Sequence, residues 1–352
     1  MPRSDHMDAL AARTLALVDI PSESRSEAAL HAYVSANVPL ERAYDDGESL
    51  VFVRRSGRPL VVLAGHTDTV PAQGNLPGRI EDGAVVGLGA TDMKGGLAVM
   101  VELARWAMNA ELAYDLALLF FPREELGPAE NPLPALFERV PLIDEAGLVV
   151  CLEPTDNTLQ LGCLGNLTAR IVFEGRSAHS ARPWLGVNAI ELALDGLRGL
   201  AGVEPRDVEV GGLVFREVIS ITQINGGIAA NVIPAAAEAV VNFRYAPDRS
   251  AEDAERRVRE LVGREVEILA NSPAAHVASE SALVHALRAA GDFAVEPKQA
   301  WTNVADFAAR GLDAVNLGPG ATRYAHTADE RVEAAELART YDALRTFLSG
   351  TA

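Results

Sequence analysis

Apolar and polar residues follow two rhythms along this chain, and each rhythm keeps to its own stretch. Helical spacing over Ala9 to Val18 and Ser26 to Val38 gives way to short unbroken apolar runs, Leu60 to Ala64, Leu116 to Phe121 and Leu148 to Leu152. Such runs predict strands buried on both faces, as in a parallel sheet covered by helices. A glycine-rich turn, Gly87 to Asp92, leads to small and apolar residues that predict a helix from about Met93 to Met108. After Gly165 the rhythm becomes period-two alternation, first over Leu167 to Phe173. A helix near Asn188 to Leu200, strands around Val218 to Ile224 and Glu238 to Arg244, a charged helix from Ala251 to Val262 and a strand from Glu265 to Leu269 follow. That β-α-β-β-α-β order is the split βαβ arrangement, which predicts an α+β domain inserted into an α/β one. From about Ser281 the first rhythm resumes, with Ala314 to Leu317 as a strand. The expected division is 1–165 and 273–352 for the α/β part and 166–272 for the insertion.

A length of 352 residues fits two domains, and 49% hydrophobic residues suffice for their cores. The net charge of −18 opposes binding to nucleic acid or to an anionic membrane. Neither a signal-type apolar core nor an apolar run of spanning length occurs, so the expectation is a soluble, cytoplasmic protein with no membrane association. Cys151 and Cys163 give no disulfide framework. Gly87-Leu88-Gly89 lacks the third glycine of a dinucleotide fingerprint, and no Gly-Lys-Ser/Thr follows any glycine run.

Candidate chemistry gathers where the strands end. His66 closes the first apolar run, Asp92 the glycine turn, and Glu124-Glu125 and Glu153 follow the next two, while Gly318-Pro319-Gly320 opens a loop to His326. In open α/β sheets the loops at the carboxyl ends of the strands converge on one crevice, so these residues can meet. Each also has an ordinary explanation. His66 with Asp68 could be a turn histidine beside a local acid, Asp92 a helix N-cap, Glu124-Glu125 a solvated loop and Glu153 before Pro154 a surface turn. Taken together, five ligand-type residues suffice for two metal ions if one carboxylate is shared, since a catalytic zinc takes three protein ligands and keeps a place for water. Spacing does not say which residue is shared. Of two adjacent glutamates, one can bind metal and its neighbour shuttle protons.

The segments Gly65 to Pro71, Gly89 to Gly96, Arg123 to Gly127, Glu153 to Thr155 and Ala325 to Thr327 occur in the order found in the M20 family of zinc aminoacylases, deacylases and exopeptidases, which the chain resembles over nearly its whole length. The resemblance implies a zinc-peptidase-like mixed sheet flanked by helices, with the inserted ferredoxin-like domain forming a homodimer. It implies two zinc ions per chain, cobalt or manganese being alternatives, with Asp92 shared, His66 and Glu153 on one ion and Glu125 and His326 on the other. Asp68 would orient His66, Glu124 would be the general base, and the Asp92–Met93 peptide bond would be cis. His179, by itself an ordinary histidine after a strand, would reach the partner's active site and donate a hydrogen bond to the oxyanion. Asn231 and Arg244 match substrate-binding positions, and Thr302 and Gly320 sit near the expected substrate loop.

Further segments, Leu152 to Asp156 with Gly162-Cys163, Ala178 to Gly186 with Asn188-Ala189, Trp301 to Ala305 and Asn316 to Gly320, narrow the resemblance to the branch that cleaves the amide of an N-succinyl amino acid. Asn303 departs from the aspartate of that branch. Other expectations are a different deacylase or a peptidase of the family, or a non-catalytic dimeric binding module. Of the remaining histidines, His6 falls in a tail, and His31, His276 and His285 fall on helices or turns without carboxylates at ligand spacing.

Overall fold

Seven consecutive buried residues, Leu60–His66, form the strand around which the larger unit is built. The computed structural model describes residues 3–351, which divide into two units, 3–161 with 278–296 and 306–351, and 162–277 with 297–305. An eight-stranded mixed sheet, all of it in the larger unit except residues 162–163 and 297–298, runs in the order Glu41–Asp45, Leu50–Arg54, Asp115–Phe121, Leu60–His66, Ala146–Cys151, Ala314–Asn316, Leu159–Cys163, Val295–Lys298. The four strands from Asp115–Phe121 to Ala314–Asn316 are mutually parallel. Their carboxyl ends therefore share one edge, and that edge receives the candidate ligands.

Each fully buried aliphatic side chain of these strands contributes roughly 1.5–3 kcal/mol by leaving water. His66 ends a wholly apolar strand and is itself buried, so its imidazole must find partners nearby. The helix Gly95–Ala107 buries ten of its thirteen residues. Gly96 permits that packing, because a Cβ there would fall 2.5 Å from the carbonyl oxygen of Leu152. Gly318 serves the same end, with a Cβ only 2.4 Å from the carbonyl of Glu153.

The smaller unit holds a five-stranded antiparallel sheet, in the order Arg206–Val210, Leu213–Gly226, Ala236–Tyr245, Gly165–Glu174, Glu267–Ser272. Alternate residues Leu167, Ala169, Ile171 and Phe173 pack with the helices Ala189–Ala201 and Ala251–Val262 through Ala193, Leu197, Ala254 and Val258. Asn188 and Ser250 cap these helices by accepting from the N–H groups of Ile190 and Asp253. The β-α-β-β-α-β order read from the sequence is present with one strand added, Arg206–Val210, which comes between the first helix and Leu213–Gly226 and was not anticipated.

Several expectations are corrected. The helix expected from Met93 starts at Gly95, because Asp92 (φ −123°, ψ 92°) and Met93 are not helical and a wide turn covers Ala90–Lys94. His6 lies on the helix Arg3–Val18, its ring edge-on to Tyr341, rather than in a tail. His31 does have a carboxylate partner, with Nε2 3.0 Å from Asp45 Oδ1, supplied by a strand that its helical spacing could not reveal. The strands Glu41–Asp45 and Leu50–Arg54 were not anticipated. Cys151 and Cys163 are buried and take part in no disulfide, and no helix among the described residues is long and apolar enough to cross a membrane.

Candidate metal centre

The sheet brings His66, Asp92, Glu125, Glu153 and His326 together. His66, Asp92 and Glu153 each offer a ligand atom within 4.8 Å of the others, and so do Asp92, Glu125 and His326. Asp92 is common to both groups. A third group joins His66, Glu124 and Glu125. Asp92 is no helix cap; its carboxylate turns to the two histidines, with Oδ1 3.1 Å from His66 Nε2 and Oδ2 3.5 Å from His326 Nε2. His326, in left-handed backbone (φ 60°), also places Nε2 3.0 Å from Glu125 Oε1. The Asp92–Met93 peptide bond is cis.

Asp68 organises two sides of this cluster. His66 Nδ1 lies 3.0 Å from the Asp68 carbonyl oxygen and 3.4 Å from its Oδ1. Both atoms accept hydrogen bonds, so Nδ1 carries a proton and Nε2 faces the centre. The same carboxylate accepts the backbone N–H of Glu124 (3.0 Å) and of Glu125 (3.1 Å) and the hydroxyl of Ser24 (2.7 Å). The loop bearing the adjacent glutamates is thereby tied to the strand bearing His66. Arg123, in left-handed backbone, holds its far side through a bidentate pair with Glu48.

The electrostatics are those of crowded buried acids. Burial raises Glu124 well above the usual carboxylate range, with Glu153, Glu125 and Asp92 adding to the effect and His66 opposing it. Glu125 is pushed up to about 7 by burial and by Asp92. Burial pulls His66 down, but Asp68, Asp92 and Glu153 outweigh it and hold the imidazolium well above its ordinary range. His326 rises to about 9, chiefly through its hydrogen bond to Asp92. Asp92 stays low because the two histidines more than offset its burial. The five carboxylates of Asp68, Asp92, Glu124, Glu125 and Glu153 exceed the two imidazoles even with both rings protonated. Bound divalent cations would resolve that excess, and imidazole and carboxylate donors are of the type zinc takes. The residues present therefore fit a pair of metal ions.

Of the remaining candidates, Gly320 belongs to the larger unit. Its N–H donates to Glu336 Oε2 (2.9 Å), and a Cβ there would fall 2.7 Å from Thr91 Oγ1. His179, Asn231, Arg244 and Thr302 belong to the smaller unit. Two of these are neighbours: His179 pairs with Val232 across a short two-stranded ribbon, and the N–H of Ser180 donates to the carbonyl of Asn231 (3.0 Å). His179 is exposed, and its Nδ1 accepts the N–H of Ala181 (3.1 Å), so the ring proton sits on Nε2. Arg244, on the strand Ala236–Tyr245, donates through Nε to Asn242 Oδ1 (2.9 Å), which fixes the plane of its guanidinium. Thr302 is buried, and its carbonyl accepts the Cys163 thiol at 3.9 Å.

Residues 62–350 match the model of peptidase family M20/M25/M40. The chain belongs to the M20 peptidase family. Like the family's members, it is a metal-dependent amidohydrolase. A Mycobacterium tuberculosis protein, provisionally named succinyl-diaminopimelate desuccinylase DapE, is 41% identical over 96% of this chain and 97% of its own length. Corynebacterium glutamicum succinyl-diaminopimelate desuccinylase is 35% identical over 96% and 95%. Among solved structures, Bacillus cereus aminopeptidase PepT superposes with a TM-score of 0.79 at 21% identity over 97% of this chain and 98% of its own, a likeness of fold. Sequence reasoning about this M20 chain missed Ser24, Arg123 and Glu330, which act on the site through a hydroxyl on Asp68, an ion pair with Glu48 and backbone N–H groups respectively, and leave no ligand spacing to read.

Proposed function

We propose that this chain hydrolyses the amide bond of N-succinyl-LL-2,6-diaminopimelate, releasing succinate and LL-2,6-diaminopimelate on the way to lysine. One observation carries the hydrolytic part: Asp92 is common to two groups of possible ligands, each completed by one histidine and one glutamate, with Glu124 beside them. The substrate part is supported by the names of the relatives at 41% and 35% identity.

In this reading His66 and Glu153 hold one ion, Glu125 and His326 the other, and Asp92 both. Zinc suits the set, and cobalt or manganese can take the same donors. When bound, the metals supply Lewis acidity toward the amide carbonyl and lower the pKa of water toward neutrality. Glu124 is the general base, taking the proton of the attacking water and passing it to the leaving amine. Its raised proton affinity in the metal-free cluster comes first from burial and then from Glu153, Glu125 and Asp92, whose charge bound cations would offset. Asp68 holds His66 in the tautomer that turns Nε2 to the centre and anchors the backbone of Glu124 and Glu125. Arg244 is chemically apt for a substrate carboxylate, since its guanidinium fork pairs with two oxygens, and Asn231, Thr302 and Gly320 complete the substrate contacts.

The test is hydrolysis by zinc-reconstituted protein of N-succinyl-LL-2,6-diaminopimelate beside N-acetylornithine and a dipeptide panel, with metal content read on the same sample. A preference of at least roughly 100-fold in kcat/KM for the succinyl compound, at about two metals per chain, is expected. Two metals with another preferred substrate keeps the mechanism and overturns the substrate, whereas neither metal nor turnover returns the chain to a binding role.

His179 of a second copy is the donor to the oxyanion in this reading, its Nε2–H being available because Nδ1 is occupied. A homodimer through the smaller unit is supported by exposed apolar side chains there, among them Trp184, Leu185, Leu194, Ile224 and Ile228. Mixing inactive Glu124→Gln subunits with inactive His179→Ala subunits should recover about a quarter of wild-type activity, since a random exchange leaves one intact site in half the dimers. No recovery after verified subunit exchange counts against action in trans.

A further inference from the structure

Glu330 is buried at 1% exposure, four residues beyond His326. Its carboxylate accepts three backbone N–H groups from the Asp92 loop: Gly89 at 2.8 Å on Oε2, and Thr91 at 3.1 Å and Asp92 at 3.0 Å on Oε1. Its carbonyl accepts a fourth, from Gly87 at 2.9 Å, and the Thr91 hydroxyl donates to the next carbonyl, that of Arg331. Its own N–H donates to the carbonyl of Thr327 (3.3 Å), closing the turn that follows His326. The loop so held departs from regular structure at both ends, with Gly89 left-handed (φ 74°) and Asp92 extended. Amides in such a loop have no ladder or helix to pair with, and burial makes leaving them unpaired costly. A single carboxylate that takes three of them fixes their positions relative to one another. Through its short chain connection to His326, it also ties the place of Asp92 to that of His326.

We infer that Glu330 is a positioning residue for Asp92, holding the shared carboxylate where it reaches both His66 and His326. The inference rests on the metal-centre reading above. It concerns charge and reach together. In Glu330→Gln the amide NH2 group would face a backbone N–H, donor against donor. Glu330→Asp keeps the charge but withdraws it by one methylene.

Wild type, Glu330→Gln and Glu330→Asp are stripped of metal and titrated with Co2+, with visible absorption recorded; thermal unfolding is followed without metal, and kcat and KM after zinc loading. Glu330→Gln should bind Co2+ about 10–100-fold more weakly, with an altered absorption band, and lose kcat by a similar factor while KM moves less than about twofold. Glu330→Asp should fall between the two. A residue serving stability alone would lower the metal-free melting temperature and leave the absorption band and kcat of the folded, loaded enzyme at wild-type values, which overturns the inference. If Glu330→Gln does not fold, the same measurements on Glu330→Asp decide, and failure of both to fold also overturns it. Wild type that binds no Co2+ overturns the metal-centre reading itself, a result distinct from wild type and variants binding alike.

Discussion

Replacing Glu124 by glutamine is expected to lower kcat by about 10²–10⁴-fold with metal content unchanged, the range for losing a general base. Glu125→Gln, one residue further on, is expected to loosen or lose one metal. The two side chains share a loop, and their backbone N–H groups share the Asp68 carboxylate. Their difference lies in what each side chain meets. Glu125 stands 3.0 Å from His326 and forms a ligand group with it and Asp92, whereas Glu124 groups with His66 and Glu125 and has no part in either group that contains Asp92. Both substitutions keep volume and remove one charge, so any contrast reports the role and not the fold. Elemental analysis of both variants with single-turnover rates checks the assignment. A Glu124→Gln protein that loses metal while Glu125→Gln keeps two would reverse it.

Asp92→Ala should have the widest effect of any single ligand change, because it is the one residue in both ligand groups. Loss of both ions removes Lewis-acid stabilisation worth several kcal/mol, and kcat/KM should fall by roughly 10³-fold or more. Glu153→Ala touches one group only and should leave one ion in place. Metal content after dialysis against buffer at fixed pH discriminates the two. The pH must be fixed because His326, raised to about 9 in the metal-free cluster, must give up its proton to bind. An Asp92→Ala protein that keeps one tightly held ion would show that the carboxylate is not shared.

The ligand-type residues were legible because chain direction does the work. A buried apolar run ending in His66, or in a loop to Glu125 or Glu153, places those side chains at one sheet edge whatever the details of packing. The approach to Asp92 was less legible: glycine and small residues read as a helix start, while the chain makes a wide turn and starts the helix two residues later. Strand Arg206–Val210 and strand Glu41–Asp45 were hidden for a plainer reason. Both are mostly exposed and polar, so their pairing comes from neighbouring strands and not from their own pattern. Glu330 was invisible in principle, since its partners are backbone amides and any sequence supplies those. The smaller unit, by contrast, announced itself in strands such as Gly165–Glu174, where every second residue is buried.

The order of ligands along the chain gives the two groups different histories during synthesis. The residues of one group, His66, Asp92 and Glu153, are all made within the first half of the chain. The other waits for His326, which emerges only after the smaller unit has been completed and the chain has returned to the sheet as Ala314–Asn316 beside Ala146–Cys151. A nascent chain can thus assemble one ligand group while the other is still unmade, and with it the reactive arrangement. In the proposed reading, in which hydrolysis needs both groups, that capacity arrives only once the smaller unit has been made.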